Sequence, residues 1–289
     1  MLFRSNRVLA LISSVFGWAQ SAGLWDSNPA RGVRRNPERA RDRFLQTEEL
    51  PRFYAALAAE PNDTIRDYFL LSLLTGARRA NVLAMRWLEI DFARAEWRIP
   101  RTKNNDPQVL PLTPEAVAIL EQRRALQRQT ERISVYVFPG SGDSGHLVEP
   151  KAGWRRIFDR DELTQLTALI HGAGGHFEIV DSESLGDSIG RARREAKRRR
   201  LDTERCRITD VRIHDLRRTL GSWQARTGAS LSIIGKSLSH KSVQTTAIYS
   251  RLDIDPVRAS VERATSAMLV AAGLKAAAPV SRLKGKRPH

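Results

Sequence analysis

The sequence predicts a mostly helical protein with one small antiparallel sheet of three strands, an α+β fold. Apolar residues recur at steps of three and four along most of the chain, as they do on one face of a helix. Around residues 94–112 the spacing changes to two short alternating segments joined by a polar turn, which is typical of a β-hairpin. The chain has 289 residues, 41% of them hydrophobic, and can therefore bury a substantial core.

The N-terminal region predicts one helix followed by a linker. Residues 6–22 carry an apolar stripe at helical spacing, and we favour an amphipathic helix over the signal peptide that this region mimics. Pro29, Gly32 and Pro37 then interrupt a highly charged stretch, as expected of a linker. Cys206 is the single cysteine, so no internal disulfide can form, and no apolar run reaches the roughly 18 residues of a membrane span. A cytoplasmic protein without membrane contact is expected.

The central region predicts helices around three short strands. Thr47 is the expected N-cap of a first helix, and Thr75-Gly76 is expected to end a second. Thr113-Pro114 has the cap and first-turn residues that open a helix through about residue 129. The remaining predicted elements here are a helix over 79–87 and strands over 94–100, 108–112 and 135–140.

The C-terminal half predicts further helices and a basic tail. The helical segments are 154–170, 191–200, 214–226, 230–240, 244–252 and a last one that begins at Asp255-Pro256 and runs to about residue 270. Residues 271–289 are basic and are expected to be disordered.

The charge of the chain indicates a polyanionic partner. Lys and Arg number 48 against 32 Asp and Glu, which gives a net charge of +16 and a pI of about 10.9. Nucleic acid is the default partner of such a field, although a merely soluble basic protein or one that touches anionic membrane would share it. The segment 191–200, RARREAKRRR, holds seven basic residues, which fit a solvated helix face and a phosphate-facing helix equally well.

Six residues could together handle a phosphate, although each has an ordinary alternative explanation. An arginine at a helix start, a His-x-x-Arg pair on one helix face and a lysine at a hairpin tip all suit phosphate binding, yet each is also common on protein surfaces. A lone tyrosine is more often a core residue, because its phenol pKa of about 10 makes it a poor nucleophile. The six residues are Arg78, Lys103, His214, Arg217, His240 and Tyr249.

In this order and context, the six residues closely resemble the tyrosine recombinases, the phage integrase family. LLTGARRANVLAMRW resembles the family's first-arginine box and IHDLRRT its His-x-x-Arg box; LSH, and Tyr249 in TTAIYSRL, resemble its C-terminal boxes. The resemblance implies a catalytic domain over 44–270 with the integrase fold. Residues 5–34 resemble the last helix of the family's core-binding domain and the linker after it, so a truncated core-binding domain over 1–34 and a linker over 35–43 are expected.

The resemblance also implies a mechanism. Tyr249 would attack a DNA phosphodiester and form a 3′-phosphotyrosyl link, as in site-specific recombination. Arg78, Arg217 and His240 would stabilise the phosphate charge, Lys103 would protonate the leaving 5′-oxygen, and His214 would help to take the phenol proton. No metal, cofactor, ATP or small-molecule substrate is expected, and the expected partners are double-stranded DNA and three further copies of the chain that dock through the C-terminal helix, residues 256–270.

Some features depart from the family or leave its function open. Asn81 stands where the family usually has an acidic residue that would orient the first arginine, and the segment 159–207 exceeds the minimal fold. A type IB topoisomerase, or a truncated relic that only binds DNA, are the alternative functions. Further candidates for DNA contact are Arg79, Arg191, Arg193, Arg194, Lys197, Arg198 and Arg218.

Overall fold

The computed structural model of the chain describes five ranges and five single positions. These are residues 2–38, 41–100, 107–130, 133–240 and 243–251, with positions 261, 262, 264, 265 and 268. The chain divides into two compact units, Met1–Asp42 and Arg43–His289. The first unit therefore contains the predicted N-terminal helix and nearly all of the predicted linker. The predicted basic tail, 271–289, lies outside the described residues.

The first unit is built on helix α1, Leu2–Ser21. Asn6, which is buried, fixes the segment behind the helix: its side-chain amide donates to the Asn36 carbonyl at 2.9 Å and accepts from the Asn36 N–H at 2.8 Å. Such a reciprocal pair satisfies two backbone groups that no regular element serves. Leu11 and Trp18, on the same helix, are about two-thirds exposed.

The second unit is helical around a small sheet, which confirms the predicted fold class. Its order is α2 Glu49–Ala58, α3 Asp63–Thr75, α4 Arg79–Leu83, β1 Ile90–Asp91, β2 Glu96–Ile99, β3 Gln108–Pro111, α5 Pro114–Gln129, α6 Lys151–Gly172, α7 Leu185–Arg198, α8 Asp215–Arg226, α9 Leu231–Ser237 and α10 Val243–Thr246, followed by a 3₁₀ turn over Ala247–Arg251. The three strands pair antiparallel in the order β1-β2-β3. None of the helices described combines the length and apolar composition that a bilayer crossing needs.

Several predicted helix ends are confirmed by their caps. Thr113 accepts a hydrogen bond from the Ala116 N–H with Pro114 at the first helical position, so α5 begins as predicted. Gly76 adopts a left-handed conformation with φ of 57° and ends α3. The predicted Thr47 cap is wrong. Glu48 occupies the N-cap of α2, and the Thr47 hydroxyl instead accepts a hydrogen bond from Arg226.

The third strand was predicted in the wrong place. Residues 135–140 form isolated bridges, Arg86 with Tyr136 and Pro139 with His146, rather than a strand of the sheet. Proline lacks an N–H and interrupts the ladder there. The third strand is the two-residue β1, which is too short to show an alternating pattern. The same bridges explain why the helix predicted over 79–87 ends at Leu83: the Trp87 N–H turns away to donate to the Val135 carbonyl.

Two separate apolar clusters support this unit. The larger lies between α2, α3, the sheet and α5, and includes Phe53, Phe69 and Trp97. The smaller lies between α6 and α7 and includes Leu166 and Ile170. It occupies the segment 159–207, which the sequence left without a role.

Ion pairs of two buried carboxylates, Asp161 and Glu162, hold the α6–α7 hairpin together and join it to α2. Asp161, 3% exposed, accepts two hydrogen bonds from Arg52 of α2 at 2.9 and 2.7 Å. Glu162 accepts from Arg193 of α7 and from Arg207. Removing one partner of such a pair strands a buried charge, so these pairs fix the direction in which the hairpin packs.

Candidate active site

Helix α8 presents the predicted His-x-x-Arg pair on one face. His214 occupies its N-cap position and Arg217 follows three residues later. Asp215, fully buried, holds the helix start by accepting a hydrogen bond from the Arg212 N–H at 2.9 Å and another from Arg218. The position of the pair is therefore set by a carboxylate that the sequence analysis did not single out.

Arg217 is the buried centre of the site. Its guanidinium donates to the Gly76 carbonyl at 2.6 Å and to the Leu238 carbonyl, and so joins the end of α3 to the end of α9. Burial, followed by the positive charge of Arg78, lowers the Arg217 pKa to about 10. The side chain thus stays charged at neutral pH.

Arg78 reaches the same turn from the other side. It is the N-cap residue of α4, and its guanidinium donates to the Ser239 carbonyl at 3.0 Å. Its Nη1 atom is buried without an acceptor among the described residues. Because Leu238 and Ser239 are consecutive, the two arginines converge on the turn that leads to His240.

Gly76 makes this convergence possible. A Cβ at this position would lie 2.7 Å from Leu220 Cδ2 and 3.0 Å from Leu238 Cδ2, in a left-handed backbone conformation. The T-G-A turn that ends α3 therefore carries Arg78 close against α8 and α9.

His240 and Tyr249 lie side by side. Their rings are parallel to within 4°, with centroids 6.3 Å apart, and His240 Nδ1 is 3.0 Å from the Thr246 hydroxyl. Burial lowers the His240 pKa to about 4, with further lowering by Arg217 and Arg78. The imidazole is therefore neutral at physiological pH.

Tyr249 is 3% exposed and packs with Ile234 and Leu238. Burial raises its phenol pKa, and the positive charges of Arg217 and Arg218 partly oppose that rise. Tyr249 therefore lies both in an apolar cluster, as a core tyrosine would, and next to the arginines, as a nucleophile would.

His214 sits at the rim of the site. The residue is exposed to solvent at one side. The protein around the imidazole ring nevertheless desolvates it and lowers its pKa, and the positive charges of Arg218 and Arg217 lower the pKa further. A neutral histidine at this place can accept a proton.

Lys103 lies outside the described residues, but the two strands on either side of its segment are described. Ile99 of β2 pairs with Gln108 of β3. Gln108 is buried and its amide donates to the Ser237 carbonyl at 3.1 Å. The start of β3 is thus fixed to the end of α9, one residue before the Leu238 carbonyl that Arg217 binds and two before the Ser239 carbonyl that Arg78 binds.

The Asn81 side chain contributes a buried polar atom to the start of α4. Asn81 Nδ2 is buried and lacks an acceptor among the described residues, as does Arg78 Nη1. Two unsatisfied donors three residues apart mark the place where a carboxylate would be favourable. The structure thus gives a physical meaning to the departure from the family pattern.

Most of the further DNA-contact candidates are paired inside the protein. Arg194 and Lys197 differ, since both are exposed on α7 and neither donates a hydrogen bond to a described residue. The paired candidates are Arg79 with Glu149, Arg191 with Glu183, Arg193 with Glu162, Arg198 with Glu195 and Arg218 with Asp215.

The structure therefore brings Arg78, Arg217, His240 and Tyr249 together, with His214 at the rim. Sequence reasoning missed Gln108, Thr246 and Gly221, whose positions relative to the boxes could have drawn attention to them. Gly221 comes one helical turn after Arg217, and Thr246 comes three residues before Tyr249.

No group of three or more His, Cys, Asp or Glu side chains suited to a metal ion occurs within the described ranges.

Comparison with known proteins identifies relatives of this chain. The model of the phage integrase family matches residues 43–255. Prophage integrase IntF of Escherichia coli strain K12 is 29% identical over 131 residues, 45% of this chain and 28% of IntF. Prophage integrase IntA of the same strain is 32% identical over 140 residues, 46% of this chain and 33% of IntA. The matches thus span about a third of these two relatives.

Solved structures show the same fold. The Tn1549 transposon integrase, solved in complex with a circular intermediate DNA, superposes with a TM-score of 0.55 at 12% identity, covering 91% of this chain and 80% of that one. The XerA recombinase gives a TM-score of 0.50 at 18% identity, covering 90% and 76%.

The low His240 pKa predicts how stability depends on pH. Between about 4 and the ordinary histidine value near 6.5, the unfolded chain binds a proton that the folded protein does not, so stability falls as the pH is lowered through this window. His240→Asn should reduce the loss in urea midpoint between pH 7 and pH 5. The control, His176→Asn, removes a histidine that is 81% exposed and should leave the loss unchanged. An equal loss in the wild type and His240→Asn would contradict the assignment.

Proposed function

The chain belongs to the phage integrase family, and on that premise we propose that it is a site-specific recombinase that breaks and rejoins DNA through a 3′-phosphotyrosyl intermediate. The observation that carries the proposal is the convergence of Arg78 and Arg217 on the turn before His240, beside Tyr249. Two guanidinium groups and a neutral imidazole can stabilise the charge of a phosphate, and the phenol beside them can attack it.

The reaction balances without a further reactant. The Tyr249 oxygen attacks phosphorus, its proton passes to His214, and the bond from phosphorus to the 5′-oxygen breaks. Lys103 gives a proton to the departing oxygen. The phosphotyrosyl ester conserves the energy of the broken bond, so a 5′-hydroxyl from another strand can reverse the step and complete an exchange.

The arginines stabilise the charge that grows on the phosphate. In the structure some of their N–H groups donate to backbone carbonyls, while Arg78 Nη1 has no acceptor among the described residues. A phosphate oxygen would satisfy that donor. Loss of one preorganised donor of this kind costs about 10²–10³ in rate.

His240 acts as a neutral donor. Its pKa of about 4 keeps the ring uncharged, and the Thr246 hydroxyl lies at Nδ1. We assign the hydroxyl as the donor to Nδ1, which leaves the proton on Nε2 and directs it to the phosphate. Thr246 thus sets the tautomer that the reaction requires.

DNA is the substrate and the second partner is the chain itself. The net charge of +16 favours a polyanion, and Arg194 and Lys197 on α7 are the exposed candidates for phosphate contact outside the site. We further propose a tetramer on two duplexes in the bacterial cytoplasm, joined through residues 256–270, most of which lie outside the described residues. The relatives reported above are integrases and a recombinase, and we therefore prefer strand exchange to relaxation of supercoils.

Tyr249→Phe tests the nucleophile. The wild type should form a covalent adduct on nicked suicide substrates, seen as a shifted band on a denaturing gel, and Tyr249→Phe should form none because it lacks the attacking oxygen. Binding of the same DNA should persist, since the ring still fills its apolar place. Tyr136→Phe is the control and should cleave normally. An adduct in Tyr249→Phe would disprove the assignment of Tyr249 as the nucleophile. If the wild type binds DNA but never forms an adduct, the protein only binds DNA and does not cleave it.

Asn81→Glu tests the unsatisfied donors. A carboxylate at 81 would accept from Arg78 Nη1 and orient the guanidinium, so we expect a higher cleavage rate under single-turnover conditions, by roughly tenfold for a strong charged hydrogen bond. Asn81→Gln, which extends the side chain without adding charge, serves as the comparison and should give no gain. A rate in Asn81→Glu at or below that of the wild type would refute the idea.

Lys197→Gln and Arg194→Gln test the basic face of α7. Each should weaken DNA binding and reduce the slope of log K against log salt by about 0.9, as one lost phosphate contact does. Arg198→Gln removes the same charge from a residue that is already paired with Glu195, and should change the slope less. Equal slopes for all three variants would show that only net charge matters.

A further inference from the structure

The Tyr249 ring rests directly on the backbone of α8 at Gly221. Gly221 is buried, and a Cβ placed on it would lie 2.6 Å from Tyr249 Cζ and 2.7 Å from Tyr249 Cε1. These distances are too short for any non-bonded pair of carbon atoms. Leu238 Cδ1, at 2.9 Å, closes the same space. The ring therefore occupies the volume that a side chain at position 221 would need.

The backbone does not require glycine here. Gly221 is absent from the residues with positive φ, so its helical conformation is open to every L-residue. Glycine is unfavourable relative to alanine in the middle of a helix. The requirement for glycine thus comes from the ring above it rather than from the helix.

The spacing along α8 ties this contact to the phosphate-binding group. Gly221 follows Arg217 by four residues, one helical turn, and both lie on the face that begins with His214. The ring atom nearest to Gly221 is Cζ, which bears the hydroxyl. The same helix face therefore holds a proton acceptor, a guanidinium and the hydroxyl end of the phenol at fixed separations.

From this geometry we infer that Gly221 is a positioning residue for the Tyr249 nucleophile: its missing side chain lets the phenol lie against α8 one turn from Arg217. The inference rests on the proposed recombinase function. In consequence, α8 sets the distance between the attacking oxygen and the phosphate. The short 3₁₀ turn that contains Tyr249 places the ring against α8. An added methyl group at 221 would displace the hydroxyl from Arg217 without touching any charged residue of the site.

Gly221→Ala tests this inference with two independent measurements. Single-turnover cleavage of a nicked suicide substrate should slow by about tenfold to a hundredfold, as expected for an ångström-scale displacement of a reacting group, with the DNA dissociation constant unchanged within about twofold. Without DNA, nitration of Tyr249 by tetranitromethane, followed by peptide mass spectrometry, should become faster.

The control is Gly17→Ala, the same change in the interior of α1 at a glycine with no atom within 4 Å of the added Cβ. It should match the wild type in cleavage and in nitration of Tyr249. If Gly221→Ala also cleaves and is nitrated like the wild type, the inference is wrong. If the wild type forms no adduct at all, the proposed function fails, while the nitration comparison still decides whether Gly221 seats the ring.

A double-mutant cycle covers the case in which Gly221→Ala does not fold. Tyr249→Ala removes the ring, so Gly221→Ala/Tyr249→Ala should recover a cooperative thermal transition close to that of Tyr249→Ala alone. Recovery supports a direct clash between residue 221 and the ring. If the double variant is as unstable as Gly221→Ala, the collision is with Leu238 or the helix packing, and the inference is overturned.

Discussion

The site depends on one buried guanidinium. Arg217 donates to the carbonyls of Gly76 and Leu238, and so fastens three separate segments, the end of α3, the face of α8 and the end of α9. These carbonyls end helices and would otherwise lack partners. The residue that we propose to bind the phosphate is thus also the residue that joins these three segments. Anion binding should therefore stabilise the folded protein. An anion that binds Arg217 and Arg78 relieves the repulsion between these two desolvated cations.

Much of this arrangement could be predicted from the sequence because its signals are local. The T-G-A turn, the Thr113-Pro114 cap and the three-residue spacing of His214 and Arg217 each specify a conformation within one helical turn. What failed depends on partners far along the chain. β1 has two residues and owes its existence to pairing with β2, while residues 135–140 look like a strand but bridge to Arg86 and His146 instead. From the sequence, Gly221 is only a residue that destabilises a helix; its role becomes apparent from the Tyr249 ring that packs against it.

The basic run on α7 illustrates the same limit. Seven basic residues in ten suggested either a solvated face or a phosphate-binding face, and composition could not separate the two. The structure distinguishes the residues one by one: Arg191, Arg193 and Arg198 pair with carboxylates, whereas Arg194 and Lys197 are exposed and donate to no described residue. Charge counting overestimates a binding surface when acidic residues pair with its arginines, from another helix as Glu162 does or from within the run as Glu195 does.

The separate apolar cluster of the α6–α7 hairpin has a consequence for how the protein can change over generations. Leu166, Ile170 and their neighbours pack among themselves, and the hairpin is joined to α2 through the ion pair of Arg52 and Asp161. Substitutions on the outer face of α7 therefore leave the larger cluster and the turn at Leu238 and Ser239 undisturbed. Such modularity allows mutation to change the surface of the hairpin while selection preserves the arrangement around Arg217.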